Sequence, residues 1–173
     1  NIARVEYRDD DPFRFWNTGE RIDVPPEITL RATVLSNPQT VLPELWETPL
    51  PMMTVRLYEA LSWLGVRNLD VYPVDLVDGR CGRLIEGYLA FNLIGAFAAA
   101  DPLRTQYAPD TTERMSSADI DHLAIDPART QDARMFRLAE SVSAIVVCST
   151  VKDGLEAAGF NTLSFLSDAD WVS

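Results

Sequence analysis

Apolar and polar residues alternate along the chain in patterns that predict both strands and helices. From Ile28 to Val34, apolar residues at every second position are separated by Thr and Arg, which is typical of a strand with one buried face. From Thr54 to Leu64, Tyr58 and the leucines recur at helical spacing. Thr54 is the predicted N-cap of this helix, and Gly65 is the residue predicted to end it.

The middle of the chain predicts two strands joined by a turn. A strand that begins at Val66 or Leu69 and ends at Val77 is followed by Asp78-Gly79, which is a strong turn signal. The segment Leu84–Ile94 then predicts the second strand of a hairpin-like pair.

The rest of the chain mixes irregular segments with further short elements. We expect irregular structure over Asp9–Pro26, a loop through the stretch that carries Pro43, Pro49 and Pro51, and a long polar connection over residues 101–134. The remaining predicted elements are a short helix over Gly95–Ala100, with continuation of the preceding strand as the alternative, strands over Met135–Ala139, Ala144–Ser149 and Leu163–Leu166, and a helix over Thr150–Ala158.

Two segments of the chain match each other at a constant offset of 94 residues. The identical pairs are Leu61 with Leu155, Gly65 with Gly159, and Leu69 with Leu163. The match predicts a duplicated unit of helix, left-handed Gly and strand, with chance as the alternative because such joints are common in mixed domains. We therefore predict an α+β, strand-rich single domain over residues 1–173, with residues 1–50 as its N-terminal part and related units near 54–77 and 148–167.

The charge balance narrows the class of partner. With 26 acidic and 15 basic residues the net charge is −11, a sign that repels phosphate backbones and anionic lipid. Direct nucleic-acid binding is disfavoured, and a basic protein partner is favoured. The best apolar run, Leu89–Ala100, is too short to span a bilayer. The start Asn1–Arg4 shows no signal peptide, but it also lacks an initial Met, so removal of a leader stays open.

The residues that could carry chemistry do not form a convincing catalytic set. His122 is the only histidine, and Asp121 beside it would point to the opposite face of a strand instead of orienting its ring. Cys81 lies between two arginines that could stabilise a thiolate, but a hairpin tip explains the same composition. Cys148 is expected to be buried and inert, with the Ser and Thr after it as helix caps. The abundant carboxylates lack metal-ligand spacing, so we expect no enzyme, metal or cofactor.

Several stretches together carry a family resemblance. They are Val71–Leu76, Tyr88–Leu93 leading to Ala100-Asp101, Met135–Leu138, and Val151–Phe160. Over about residues 50–167 the chain resembles a bacterial immunity-protein family, a former domain of unknown function found beside polymorphic toxins and type VI secretion effectors. The chain departs from the family at Gly95–Ala98, where a more polar stretch is usual, and at Pro102, which directly follows the Asp.

The resemblance implies a cytoplasmic inhibitor that binds one cognate toxin and protects the producing cell and its kin. The acidic composition suggests that this toxin is basic, in which case acidic side chains could occupy its substrate groove. The candidate partner-binding residues are Asp110, Glu113, Asp119, Asp121 and Trp16.

Two other functions fit the same sequence. A non-enzymatic adaptor or structural module of a secretion system would bind several proteins instead of one. A small hydrolase would use Cys81 or paired acids. The tryptophans Trp46, Trp63 and Trp171 are further candidate contact anchors, although Trp63, within a helix, is expected to be packed.

Overall fold

The computed structural model describes residues 2–6, 16, 18–22, 30–35, 41–109 and 118–172, and it describes only the backbone of residues 2–6 and Leu30. Within these ranges the fold is α+β, which confirms the predicted class. The helices are α1, Val55–Trp63, and α2, Ser149–Ala157. The strands are β1 Ile2–Glu6, β2 Leu30–Val34, β3 Leu45–Trp46, β4 Met52–Thr54, β5 Leu69–Asp78, β6 Leu84–Ile85, β7 Tyr88–Leu93, β8 Ala96–Phe97, β9 Gln106–Tyr107, β10 Ile120–His122, β11 Met135–Leu138 and β12 Ser141–Val147.

The largest sheet has the strand order β1-β2-β5-β7-β4-β3, with β6 also paired to β5. Strands β2 and β5 are parallel, and the other neighbouring pairs are antiparallel. Successive side chains point to opposite faces of this sheet. Met52 and Ala90 are buried on one face, and Met53 and Phe91 are buried on the other beneath the helices. The centre of the sheet is therefore covered on both sides.

The predicted hairpin is present, but its second arm is divided. Strand β5 pairs antiparallel with β7 over Leu69–Pro73 and with β6 over Leu76–Val77. Between β6 and β7 lies Gly87, whose φ of 87° falls in the left-handed region that favours glycine. Cys81 is exposed in the turn between β5 and β6, as the hairpin-tip interpretation requires.

The two helix ends have the same hydrogen bonds, which is the structural counterpart of the sequence match. Each helix ends at a glycine with positive φ, 87° at Gly65 and 77° at Gly159, in a Schellman motif. The bonds run from Gly65 N–H to the Ser62 carbonyl (3.1 Å) and Val66 N–H to the Leu61 carbonyl (2.9 Å), and from Gly159 N–H to the Glu156 carbonyl (3.0 Å) and Phe160 N–H to the Leu155 carbonyl (3.2 Å).

Both helices contribute to one core against the main sheet. In each helix, two residues four apart are buried on the inward face. The core residues are Met53, Leu57, Leu61, Val66, Phe91, Leu93, Met135, Val151, Leu155 and Phe160. The helices approach each other where Gly154 of α2 meets the Leu64 side chain, because a Cβ built on Gly154 would lie 2.4 Å from Leu64 Cδ2.

Several element predictions are wrong. Gly95–Ala100 contains strand β8 instead of a helix, because β8 pairs in parallel with β11. Leu163–Leu166 is not a strand, although Leu163 and Phe165 pack against the core. The proline-rich stretch contains β3 and β4 and is not a continuous loop.

Predictions about caps and the N-terminal segments had mixed outcomes. Thr54 is the N-cap of α1 and accepts a hydrogen bond from Leu57 N–H at 3.1 Å, as predicted. Cys148 occupies the N-cap of α2 without a side-chain bond, so the predicted Ser or Thr cap is wrong. Ala32 and Val34 are buried in β2, which agrees with the predicted alternation. Residues 28 and 29 and most of the segment 9–26 lie outside the described residues.

The described part of the predicted polar connection contains short regular elements. Residues 101–109 and 118–134 include β9, β10 and a 3-10 helix over Pro127–Arg129. Four apolar residues of this region are buried, and three of them, Ala118, Ile120 and Leu123, join a core with Phe136. These side chains anchor this part of the chain to the core.

A guanidinium group is buried where the second sheet meets the N-terminal segment. This sheet consists of β12, β11 and β8, and Arg137 in β11 is only 1% exposed. Its side chain donates to the carbonyl of Val142 (2.7 Å) and to the carbonyl of Trp16 (3.2 Å). Burial lowers the pKa of Arg137, and the charge of Glu47 opposes that effect. The arginine thus ties residue 16 to the sheet through backbone oxygens.

A buried carboxyl group makes stability depend on pH. Glu140 is 5% exposed, and its Oε1 accepts from Ala100 N–H at 3.3 Å, whereas its Oε2 has no hydrogen-bond partner among the described residues. Burial raises the pKa of Glu140 despite the opposing influence of that bond. The folded state therefore holds this proton at pH values where the unfolded chain releases it.

Glu140→Gln is expected to stabilise the protein at neutral pH. The folded pKa lies above the unfolded one, so the wild type loses stability as the pH rises through the interval between them, and the amide variant does not. The gain should shrink as the pH falls below the ordinary Glu value of about 4.3. Urea unfolding of both proteins at neutral and acidic pH measures the difference. An equal difference at both pH values would contradict the burial of a charged carboxylate.

Candidate partner-binding surface

The hairpin of β9 and β10 presents two of the predicted contact residues. Ile120 pairs with Tyr107, and the sequence around it alternates between buried and exposed positions. Ala118 and Ile120 point into the core, whereas Asp119 and Asp121 are exposed on the opposite face. The strand therefore fixes both carboxylates on one surface.

The turn before β9 carries an exposed leucine within an acidic setting. Asp101 Oδ1 accepts from the N–H groups of Leu103 (2.9 Å) and Arg104 (3.1 Å), and Arg104 Nε lies 2.7 Å from Asp101 Oδ2. These bonds fold the turn tightly and leave Leu103 94% exposed at its tip. Thr105 fixes the base of the turn by exchanging hydrogen bonds with Ala124 at 3.1 and 3.2 Å.

A short C-terminal 3-10 helix, Asp168–Asp170, adds further carboxylates to this surface. Asp168 Oδ2 accepts from Ile125 N–H at 3.0 Å, and Arg104 donates to the Ile125 carbonyl at 3.2 Å. Ile125 therefore joins the C-terminal helix to the turn before β9. The 3-10 helix also lies next to β10, so the three segments are neighbours in the fold.

We call this surface the acidic face, and its residues are Asp101, Leu103, Asp119, Asp121, Asp126, Asp168 and Asp170. In the described part of the chain, the arginines beside it are Arg104 and Arg129, which are paired with Asp101 and Asp126, so these residues together are negative. The hydrogen bond from Arg104, followed by that from Leu103 N–H, holds the pKa of the Asp101 carboxyl below its usual range. The ion pair of Asp101 and Arg104 therefore stays ionised in mildly acidic solution.

The structure separates the predicted contact residues. Asp119 and Asp121 lie on the acidic face. Asp110 and Glu113 belong to the chain between β9 and β10 and lie outside the described residues. Trp16 is only 4% exposed and packs edge to face on Tyr72, with ring centroids 5.5 Å apart. The expectation of an accessible Trp16 ring is therefore wrong, since this side chain forms part of the core.

Of the other three tryptophans, one differs from expectation. Trp46 is half-buried against Tyr88, and Trp171 is half-buried beside the core under β10. Trp63 is 91% exposed at the end of α1, so the expectation that it is packed is wrong. Sequence reasoning also missed Leu103, although an apolar residue within a charged turn is a recognisable signal.

The candidate catalytic residues are not brought together. Cys81 lies in a turn of the main sheet, and His122 lies in the separate sheet of β9 and β10. His122 is half-buried and Asp121 is exposed on the neighbouring position of the same strand. Among the described residues, no group of three or more His, Cys, Asp or Glu side chains is arranged to hold a metal ion.

Across the described ranges, no helix combines the length and the apolar character that a membrane crossing requires.

Comparison with known proteins assigns no function to this chain. Neither the models of known protein families nor the curated proteins give a match to this chain, so its function is argued from the residues of its own surface.

Proposed function

We propose that this protein is a cytoplasmic immunity protein that binds a cognate antibacterial toxin and protects the producing cell and its kin. The observation that carries the proposal is the acidic face, which combines exposed carboxylates on neighbouring segments with a protruding Leu103. A toxin with a basic active site or substrate groove fits this surface, because the carboxylates occupy the place of an anionic substrate. Binding at that groove blocks the toxin.

The chemistry of the face suits such an inhibitor. An apolar side chain that becomes buried at the centre of an interface contributes affinity, while the surrounding charges accelerate encounter and fix the register. Asp119 and Asp121 are held by a strand, and Leu103 is held by a turn with several internal hydrogen bonds. Since these groups are already ordered, little conformational freedom is lost on binding.

Co-expression with the product of the neighbouring gene tests the proposal. We expect the neighbour to be toxic when expressed alone, and we expect this protein to relieve the toxicity and to co-purify with it. A neighbour that is neither toxic nor bound would contradict the proposal. Stable binding of several unrelated secretion proteins would favour an adaptor instead. Turnover of a small substrate that is lost in Cys81→Ala would favour a hydrolase.

Asp119→Asn combined with Asp121→Asn is expected to slow association with the toxin by about tenfold at low salt. The substitution keeps the size of both side chains and removes two negative charges from the acidic face. The dependence of the association rate on salt should weaken as well, because fewer charges steer the encounter. Stopped-flow or surface-based kinetics over a range of salt concentrations measures both effects.

Matched substitutions elsewhere separate a local effect from a change in net charge. Glu86→Gln combined with Asp153→Asn removes the same number of charges from exposed positions outside the acidic face. We expect this control to retain an association rate near that of the wild type. If both double variants slow association equally, steering depends on the total charge and the acidic face is not the interface.

A further inference from the structure

Trp63 is the most conspicuous exposed aromatic residue among the described residues. It is the last residue of α1 and is 91% exposed, so its indole ring does not pack in the core. Exposure of an isolated apolar residue is ordinary. A nearly fully exposed tryptophan indicates a binding surface when the side chains beside it carry the same charge and can bind the same kind of group.

Two guanidinium groups lie at the same helix end. Arg67 Nη1 donates to the Ser62 carbonyl at 2.7 Å, and Arg134 Nη1 donates to the Leu64 carbonyl at 3.0 Å. These positive charges also complement the negative end of the α1 dipole. Among the described residues, neither arginine has a carboxylate within ion-pair distance. Most of their donor groups therefore remain open to a partner.

The second helical unit shows that Trp63 and Arg67 are not needed for the fold. At the offset of 94 residues, Trp63 corresponds to Ala157 and Arg67 corresponds to Asn161. A guanidinium on the carbonyl after the helix is common to both units, since Arg56 donates to the Ala158 carbonyl at 2.7 Å as Arg134 does to the Leu64 carbonyl. The second unit thus forms the same hydrogen bonds at its helix end without an indole or an Arg67 equivalent. A requirement outside the fold is the better explanation for Trp63 and Arg67.

We propose that Trp63, Arg67 and Arg134 form a docking patch for an acidic segment of a partner protein. Exposed Glu59 lies one helical turn before Trp63, so the two guanidinium groups leave this surface with a net positive charge of one. Because the chain as a whole carries a net charge of −11, this aromatic surface is complementary to carboxylates that the rest of the molecule repels. Guanidinium groups bind carboxylates through paired hydrogen bonds, and the indole offers an apolar surface beside them. Trp and Arg are also the residues most enriched at binding hot spots.

The base of the patch is rigid, which favours binding. The Schellman bonds fix the turn after Trp63, and Arg134 lies so close that a Cβ on Gly65 would be 3.1 Å from its Nε. The backbone carbonyl of Arg134 in turn accepts from Cys148 N–H at 2.9 Å, next to α2. The patch has the opposite charge to the acidic face, so its occupant is distinct from a basic toxin groove. The two proposals can therefore fail independently.

Peptide binding tests this second surface directly. The probe is a fluorescein-labelled peptide in which Asp and Glu residues flank a single Leu, and the comparison peptide has Lys in place of each acid. We expect the acidic peptide to bind the wild-type protein at low salt and the Lys peptide not to bind. Trp63→Ala and Arg67→Asn should each weaken binding by about tenfold, measured by fluorescence anisotropy. Equal binding of both peptides, or no loss in Trp63→Ala, would overturn the proposal.

The second unit supplies a matched control that folds. Trp63→Ala combined with Ala157→Trp moves the exposed indole to a helix end that lacks Arg67 and whose own guanidinium, Arg56, is already paired with Glu44 at 2.8 Å, and we expect it not to restore peptide binding. Circular dichroism of all variants should match the wild type, because each substitution introduces a residue found at the equivalent helix end. Restored binding would show that any exposed indole suffices. Two results would assign the patch to another occupant and refute the proposal. One is self-association that Trp63→Ala abolishes, and the other is tighter binding of an RNA oligonucleotide than of the acidic peptide.

Discussion

Arg137→Ala is expected to lower the free energy of unfolding by about 3–5 kcal/mol. The substitution removes a donor from the buried carbonyl of Trp16 and from the partly buried carbonyl of Val142, and it leaves a cavity where the side chain was. Each unsatisfied buried carbonyl costs about 1–3 kcal/mol, and the cavity adds to that loss. The gain from no longer burying a positive charge opposes these losses, but the nearby Glu47 already offsets part of that burial cost. We therefore expect the losses to dominate.

Two further variants separate the causes. Arg137→Met keeps most of the volume and removes the charge, so it should be milder than Arg137→Ala. Arg83→Ala removes an arginine from the exposed turn between β5 and β6 and should change stability by less than about 0.5 kcal/mol. Urea unfolding followed by tryptophan fluorescence measures all three. If Arg137→Ala stays within about 1 kcal/mol of the wild type, the guanidinium does not hold residue 16 to the sheet.

Local signals predicted those elements whose ends are encoded within a few residues. Thr54 and Gly65 mark the ends of α1 through their own side-chain and backbone properties, and the structure agrees with both. The alanines of Gly95–Ala100 favour a helix. The segment instead contains strand β8, because Arg137 and Leu138 pair with Ala96 and Phe97. A partner strand so distant in sequence leaves no trace in the local pattern.

The dependence of a strand on a distant partner also explains why the second unit lacks the predicted strand. In the first unit, Leu69 begins a strand because β7 provides a neighbouring ladder. Its counterpart Leu163 packs against the core without such a neighbour in the described structure. The sequence match includes Leu69 and Leu163, but the structural similarity of the units ends after the helix end, where a strand depends on a partner.

The candidate surfaces were predictable only in part. Asp119 and Asp121 were found because acidic residues are visible in the sequence, although the strand that orients them was not predicted. The exposure of Trp63 had a local signal, since it follows Arg56 and Glu59 at helical spacing on the polar side of α1. The burial of Trp16 had no local signal in the sequence, because its segment has no regular period and packs through contacts with distant residues such as Tyr72.

Gly154→Leu is expected to lower the free energy of unfolding by about 3 kcal/mol. Gly154 lies where α2 meets the end of α1, and even its Cβ would be 2.4 Å from Leu64 Cδ2. A leucine gains about 1 kcal/mol in helix propensity over glycine, but the overpacked contact between the helices costs more. The helices must separate or Leu64 must leave its packing against the core. Urea unfolding measures the loss.

Leu64→Ala provides the partner substitution that isolates this contact. It makes room at the interface, so Gly154→Leu should be less destabilising in the Leu64→Ala background than in the wild type, with a coupling of about 0.5–3 kcal/mol. The double variant moves a leucine from one helix to the other and nearly conserves the volume of the interface. The second unit already has Ala158 at the position equivalent to Leu64, so the helix end tolerates alanine there. Additive effects of the two substitutions would show that the helices do not meet at this point, and the shared core of the two units would then need another contact to align them.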